Sequence, residues 1–245
     1  MKADPKDQRR LLDLQLTDTT LRQLDHRRRN LPEHAEIERM DAAARTAFDE
    51  HAQAEAAVGD IDRDIARQER EIEQVRQRAT RDQNRLDAGT GSAKDLSNLQ
   101  HELGSLARRQ SELEDVELEL MERRETAQAA VDALTARLDE VNAGREAATA
   151  RRDKVVGEIG NEEALAKAAR EKQAADVPDV LIALYEKIRT QSPIAAAAIR
   201  GRRCGACRIE LSAGEVDRVR TSPRDEVLRC EECRSIMVRT EESGL

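Results

Sequence analysis

The sequence predicts a mainly α protein: a long antiparallel coiled-coil helical hairpin followed by a small C-terminal β ribbon. Three observations carry this. Apolar residues recur every seven positions over two long stretches, aromatic residues are almost absent, and all four cysteines lie after residue 200. Of 245 residues only Phe48 and Tyr185 are aromatic, while 38% are charged. Aromatic rings supply much of the buried area of a globular core, so a large core is excluded and long solvated helices are expected.

A first helix is expected over about 6–31, with Leu11, Leu14, Leu21, Leu24 and Leu31 as its apolar positions and Pro32 as the break after it. From 33 to 86 one seven-residue register reads Ile37, Ala44, His51, Val58, Ile65, Ile72, Ala79 and Leu86. Its companion reads Met40, Ala47, Ala54, Ile61, Gln68, Val75 and Asp82. Twelve of these fifteen are apolar between mostly charged neighbours, which is the pattern of a coiled-coil seam. His51 reads as a tolerated polar seam residue.

The segment 87–92, with Gly89 and Gly91, is a short tip that folds the chain back on itself. The return helix, 93–175, carries a second heptad running from Leu99 through Leu113, Val131 and Ala148 to Ile159. At about 1.5 Å per residue it reaches roughly 125 Å against roughly 80 Å for 33–86. The first helix is the right size to cover the overhang, which makes 1–175 one shaft. With the turn near residue 89, Leu14 should face Leu165, and Pro32 should face Gly144 or its neighbours, either at a bend or joint or with Gly144 simply tolerated on an exposed face.

Residues 176–198 read as a connecting helix and linker. Pro178 opens a short amphipathic helix whose face (Val180, Leu181, Leu184, Tyr185, Ile188) should pack the ribbon against the shaft.

The ribbon, 199–245, holds Cys204-Gly-Ala-Cys207 and Cys230-Glu-Glu-Cys233, with no histidine among them. Two CxxC knuckles offer four thiolates at the spacing of a closed tetrahedral zinc site, so Cys204, Cys207, Cys230 and Cys233 are the expected Zn²⁺ ligands. A redox dithiol needs a thioredoxin-like context, which is absent. An iron–sulfur cluster fits paired, symmetric knuckles less well. Pieces at 198–200, 208–211, 226–229 and 236–238 are β-prone. So small a segment buries too little surface to fold without its metal.

Charge is uneven. Residues 1–198 hold 32 Lys+Arg and 41 acids, whereas 199–240 hold ten arginines and seven acids. The N-terminus has no signal-like apolar run, and no apolar stretch of membrane-spanning length occurs. A cytoplasmic location is expected, where paired cysteines bind metal rather than form disulfides.

With both parts in view, the chain resembles the bacterial coiled-coil and C4-type zinc-ribbon family. The likeness rests on Cys204-Gly205-Ala206-Cys207, on Cys233-Arg234-Ser235-Ile236-Met237, and on the return arm Asn98-Leu99-Gln100-His101-Glu102-Leu103. Leu96 stands where members often carry an aromatic residue. The resemblance implies the hairpin-and-ribbon fold and an adaptor role, since some members bind an alternative sigma factor, flagellar messenger RNA or type III secretion components.

The residues themselves show no catalytic constellation, so a non-enzymatic adaptor that binds protein partners is expected. The alternative is RNA binding by the arginine-rich ribbon, through Arg200, Arg202, Arg203, Arg208, Arg218, Arg220, Arg224 and Arg229. Against it, the ribbon has no aromatic ring to stack a base. A polymerase-inserting finger would need acids clustered at the tip, and only Asp87 and Asp95 flank it.

Overall fold

The structure, a computed structural model, describes residues 1–244. In chain order the elements are α1 (Pro5–Arg29), α2 (Pro32–Asp87), α3 (Ala93–Ala175), α4 (Asp179–Arg189), β1 (Ala196–Arg200), β2 (Arg203–Cys204), α5 (Ala213–Thr221), β3 (Leu228–Arg229) and β4 (Ile236–Val238), closed by a 3-10 turn at Glu241–Ser243. The chain divides into two compact units, one of 35–149 and one of 1–34 with 150–245.

The 35–149 unit is a helical hairpin of α2 and α3. Every residue that α2 buries there (Ala47, Val58, Ile72, Asp82) lies on the expected seam, as do Leu99, Leu113, Val131 and Ala148 of α3. Cross-helix pairs run in opposite directions: Arg78 with Glu102, Gln68 Nε2 donating to the Leu113 carbonyl at 2.8 Å, and Arg137 with Glu50 at 2.8 Å. His51 Nε2 sits 3.0 Å from the Thr135 hydroxyl, so the polar seam residue is satisfied across the pair. At the tip Gly89 and Gly91 adopt φ of +59° and +141°, conformations that side-chain-bearing residues resist. Ser92 and Asp95 then cap α3 reciprocally. Gly144 opposes Met40 rather than Pro32. A Cβ at Gly144 would lie 3.0 Å from the Met40 methyl, so this glycine marks close packing rather than a joint.

In the other unit α1 runs antiparallel to the end of α3. Leu24 and Leu31 pack on Ile159, Thr17 bonds Gln173 at 2.8 Å and Arg28 pairs with Glu163 at 3.3 Å. These pairs sum to about 190, not 179, so the expected facing of Leu14 and Leu165 does not occur. Leu14 is fully buried against Val177 and Leu181, and Leu165 is 74% exposed. Part of the slip has a plain cause. Asn30 and Leu31 leave the helix between α1 and α2, and non-helical residues advance the chain faster than helical ones.

One core joins the rest. Leu11 and Leu14 of α1, Leu181, Tyr185 and Ile188 of α4, and Ala195, Ala196, Ile236 and Val238 of the sheet pack together. Thus α4 does bind the ribbon to the helices, although Val180, expected on its apolar face, is 71% exposed. Pro178 is the N-cap of α4 rather than part of its first turn. The N-terminus is tied in as well: the Ala3 N–H donates to the Asp225 carbonyl at 2.7 Å, and the Val227 N–H to that of Met1 at 3.0 Å.

The sheet order is β2-β1-β4-β3, with β1 and β4 parallel and both outer pairs antiparallel. β1 begins at Ala196, inside the segment expected to be linker. Gly201 and Arg202, both at positive φ, form the two-residue turn into β2. The β-prone piece 208–211 is not a strand; only Glu210 makes a single bridge, to Arg203. Its place in the fold is taken by the unforeseen α5, which a reciprocal Ser212–Glu215 capping box initiates.

Candidate metal centre

The two knuckles are built alike. In each, the leading cysteine's N–H donates to the carbonyl five residues on, Cys204 to Ile209 and Cys230 to Ser235, both at 3.0 Å. The residue after each knuckle, Arg208 or Arg234, takes φ of +65° and donates its N–H back to the leading cysteine's carbonyl. Within each turn two backbone N–H groups point at the leading sulfur: those of Ala206 and Cys207 at Cys204, and those of Glu232 and Cys233 at Cys230. Such donors favour a thiolate over a thiol. Gly205 is required by space, since a Cβ there would stand 2.4 Å from the Ala198 carbonyl.

The knuckles converge. Cys204 and Cys233 sulfurs are 3.8 Å apart, Cys207 and Cys230 sulfurs 3.9 Å, and all four lie within 4.8 Å of one another. A regular tetrahedron with metal–sulfur bonds of about 2.3 Å has edges of about 3.8 Å. The donor set therefore fits a single tetrahedral, thiophilic ion with no position left open. Cys204 and Cys230 are buried, and burial pushes both thiols up, Cys204 to about 12. Burial opposes ionisation of the half-buried Cys233 as well, but hydrogen bonds with Ser235 outweigh it and bring that thiol down to about 7.

Four features that support this centre were not anticipated from the sequence. The Ser235 hydroxyl donates to the Ile194 carbonyl at 2.6 Å, fixing the second knuckle to the start of the sheet. Arg239 donates to the carbonyls of Val219, Ser222, Pro223 and Glu226, closing the end of α5. Buried Gln15 accepts the N–H of Ala195 at 2.6 Å and thereby anchors β1 to α1. Asp18 receives Arg170 at 2.7 Å and the Tyr185 hydroxyl at 2.8 Å. The Ser212-x-x-Glu215 box is a legible signal, whereas Gln15 and Asp18 gain meaning only from partners far along the chain. Arg239 left no signal.

Residues 14–193 match the CT398-like coiled-coil hairpin domain, and 203–237 match the C4-type zinc ribbon domain. An uncharacterised protein of Mycobacterium tuberculosis is 39% identical over 98% of both chains, and one of Mycobacterium leprae is 30% identical over 90% of this chain and 95% of its own. A solved Mycobacterium smegmatis structure superposes with TM-score 0.88 at 36% identity, over 98% of this chain and all of that one. CT398 of Chlamydia trachomatis has TM-score 0.68 at 17% identity over 96% and 98% of the two chains, a likeness of fold alone. The chain therefore belongs to the CT398-like coiled-coil hairpin family, joined to a C4-type zinc ribbon.

Proposed function

We propose that the protein is a non-enzymatic, cytoplasmic adaptor. Its coiled coil presents a ribbon whose structural Zn²⁺ is held by Cys204, Cys207, Cys230 and Cys233, and protein partners are its ligands. The four-sulfur cluster carries this reading. Its edges match a closed tetrahedral shell, and a closed shell leaves no site for a metal-bound water. When bound, the ion acts as a cross-link that lets a small sheet hold its geometry. The surrounding residues orient the thiolates through backbone N–H groups and exclude water from Cys204 and Cys230. Among the described residues no helix is long and apolar enough to cross a membrane.

The ribbon holds no aromatic ring to stack a base, which weighs against RNA as the main ligand. Elemental analysis of the purified protein tests the metal: one zinc per chain is expected, and iron or no metal would overturn it. Capture from native extract by the zinc-loaded chain tests the adaptor role. A specific, nuclease-resistant protein partner is expected, whereas nuclease-sensitive capture would favour nucleic acid.

A further inference from the structure

A groove runs between α1 and the ribbon, bordering the metal centre at Cys204 and the core at Ala196. Its larger part, about 680 Å³, is floored by the three alanines of β1 and walled by Leu12 and Leu16. Its smaller part, about 400 Å³, continues toward Arg22 and His26, and the two share Thr19 and Ile194. Leu16 is 69% exposed at its rim, an aliphatic side chain left in water where the helix could have carried a charge.

The groove's charge is opposite to that of the chain. The protein carries −8 overall, yet the lining holds Arg22, Arg200, Arg203 and Arg208 against one carboxylate, Asp13, and the single metal-centre sulfur of Cys204. Arg200 and Arg203 do pair with Glu242 and Glu210, at 3.1 and 3.7 Å, but all four side chains are more than 60% exposed. Exposed pairs of this kind are weak and a ligand carboxylate can replace them. Arg208 has no carboxylate partner among the described residues.

Size and shape narrow the occupant. From Leu12 to His26 the wall is about 21 Å long, which matches about six residues of extended chain. The alanine floor lets a backbone lie close, while Leu16 and Ile194 offer contact to an apolar side chain. We propose that this groove binds an extended acidic segment of a partner protein, with carboxylates toward the arginines and an apolar residue between Leu16 and Ile194. This rests on the adaptor reading and gives it a surface. RNA fits the arginines but not the floor. No aromatic ring lines the groove, Tyr185 being buried and Phe48 lying in the other unit.

The test uses the full zinc-loaded chain and a fluorescein-labelled octapeptide of alternating Glu and Leu, read by anisotropy at low salt. The expected result is binding at least tenfold tighter than that of the Lys/Leu counterpart. It should weaken at least fivefold in Leu16→Asp and at least tenfold in Arg203→Glu/Arg208→Glu, with zinc content and helical circular dichroism unchanged. Should the double variant lose zinc, Leu16→Asp and Arg22→Glu, both on α1, decide the matter. Equal affinity for the lysine peptide, or undiminished binding in the α1 variants, overturns the proposal. So does an oligouridylate that binds more tightly than the peptide and depends on the same arginines. A partner still captured by Leu16→Asp would leave the adaptor role standing and remove the groove from it. Groove-dependent peptide binding without any captured partner would count against the adaptor role alone.

Discussion

The Asp18 side chain is only 2% exposed, yet it is held from three directions, by Arg170, the Tyr185 hydroxyl and Arg189. Burial and the Asp18 carboxylate push the Tyr185 hydroxyl well above its usual range, and the hydrogen bond that Arg170 donates to Asp18 outweighs burial and raises Arg170. Removing Asp18 leaves Arg170 and Arg189 with Glu186 and takes the nearest acceptor from the buried Tyr185 hydroxyl. Asp18→Ala should therefore cost about 1–3 kcal/mol, read as a shift of the urea midpoint. Gly205→Ala acts by sterics instead. With the Ala198 carbonyl 2.4 Å from the new methyl, β1 and the first knuckle cannot both keep their places, and zinc affinity should fall. Retention of wild-type affinity in a competition titration would show that the close approach relaxes without cost. The cysteines declared themselves by spacing alone, whereas Asp18 did not, because a lone acid beside leucines gains meaning only when its partners arrive from 150 residues away.

At the level of elements, periodicity spoke for the long helices and failed for the short ones. Over dozens of residues a heptad outweighs local noise, so the buried residues of the 35–149 hairpin fall on the positions that the pattern marks. The nine residues of α5 hold too few apolar positions to show a period, so no element was expected there. What fixes α5 is its cap. Burial opposes ionisation of Glu215, but the N–H groups of Ser212 and Glu231 and the Ser212 hydroxyl outweigh it and hold the carboxyl below its usual range. A carboxyl depressed in the folded state stabilises above its unfolded value of about 4.3 and loses that contribution as pH falls through the folded value. Ser212→Ala should cost about 1 kcal/mol near neutrality. It should also flatten the acid limb of the stability profile, since part of what lowers Glu215 is gone. An unchanged acid limb would mean that the cap contributes little.

For the whole molecule, the sequence suggested a shaft of 1–175 joined to the ribbon through a connecting helix, and the packing ties part of that shaft to the ribbon directly. Leu11 and Leu14 share a core with the sheet, and the compact unit that holds the ribbon also takes in α1, α4 and the end of α3. Sequence alone could not locate that boundary, because a leucine facing a sheet looks the same as one facing a helix. The consequence can be measured. Cys230→Ser leaves three thiolates and an incomplete shell, so the sheet should loosen, and the helices packed on it lose their buried partners. Hydrogen exchange should then show protection lost across 196–240 and weakened over 5–29 and 179–189, while 35–149 retains its own. Leu14→Ala, which leaves every zinc ligand intact, should weaken the same segments by about 2–5 kcal/mol through the cavity it opens. Exchange confined to 196–240 in Cys230→Ser would restore the independent ribbon. Loss across 35–149 would mean instead that the seam contacts of that hairpin do not suffice to hold it.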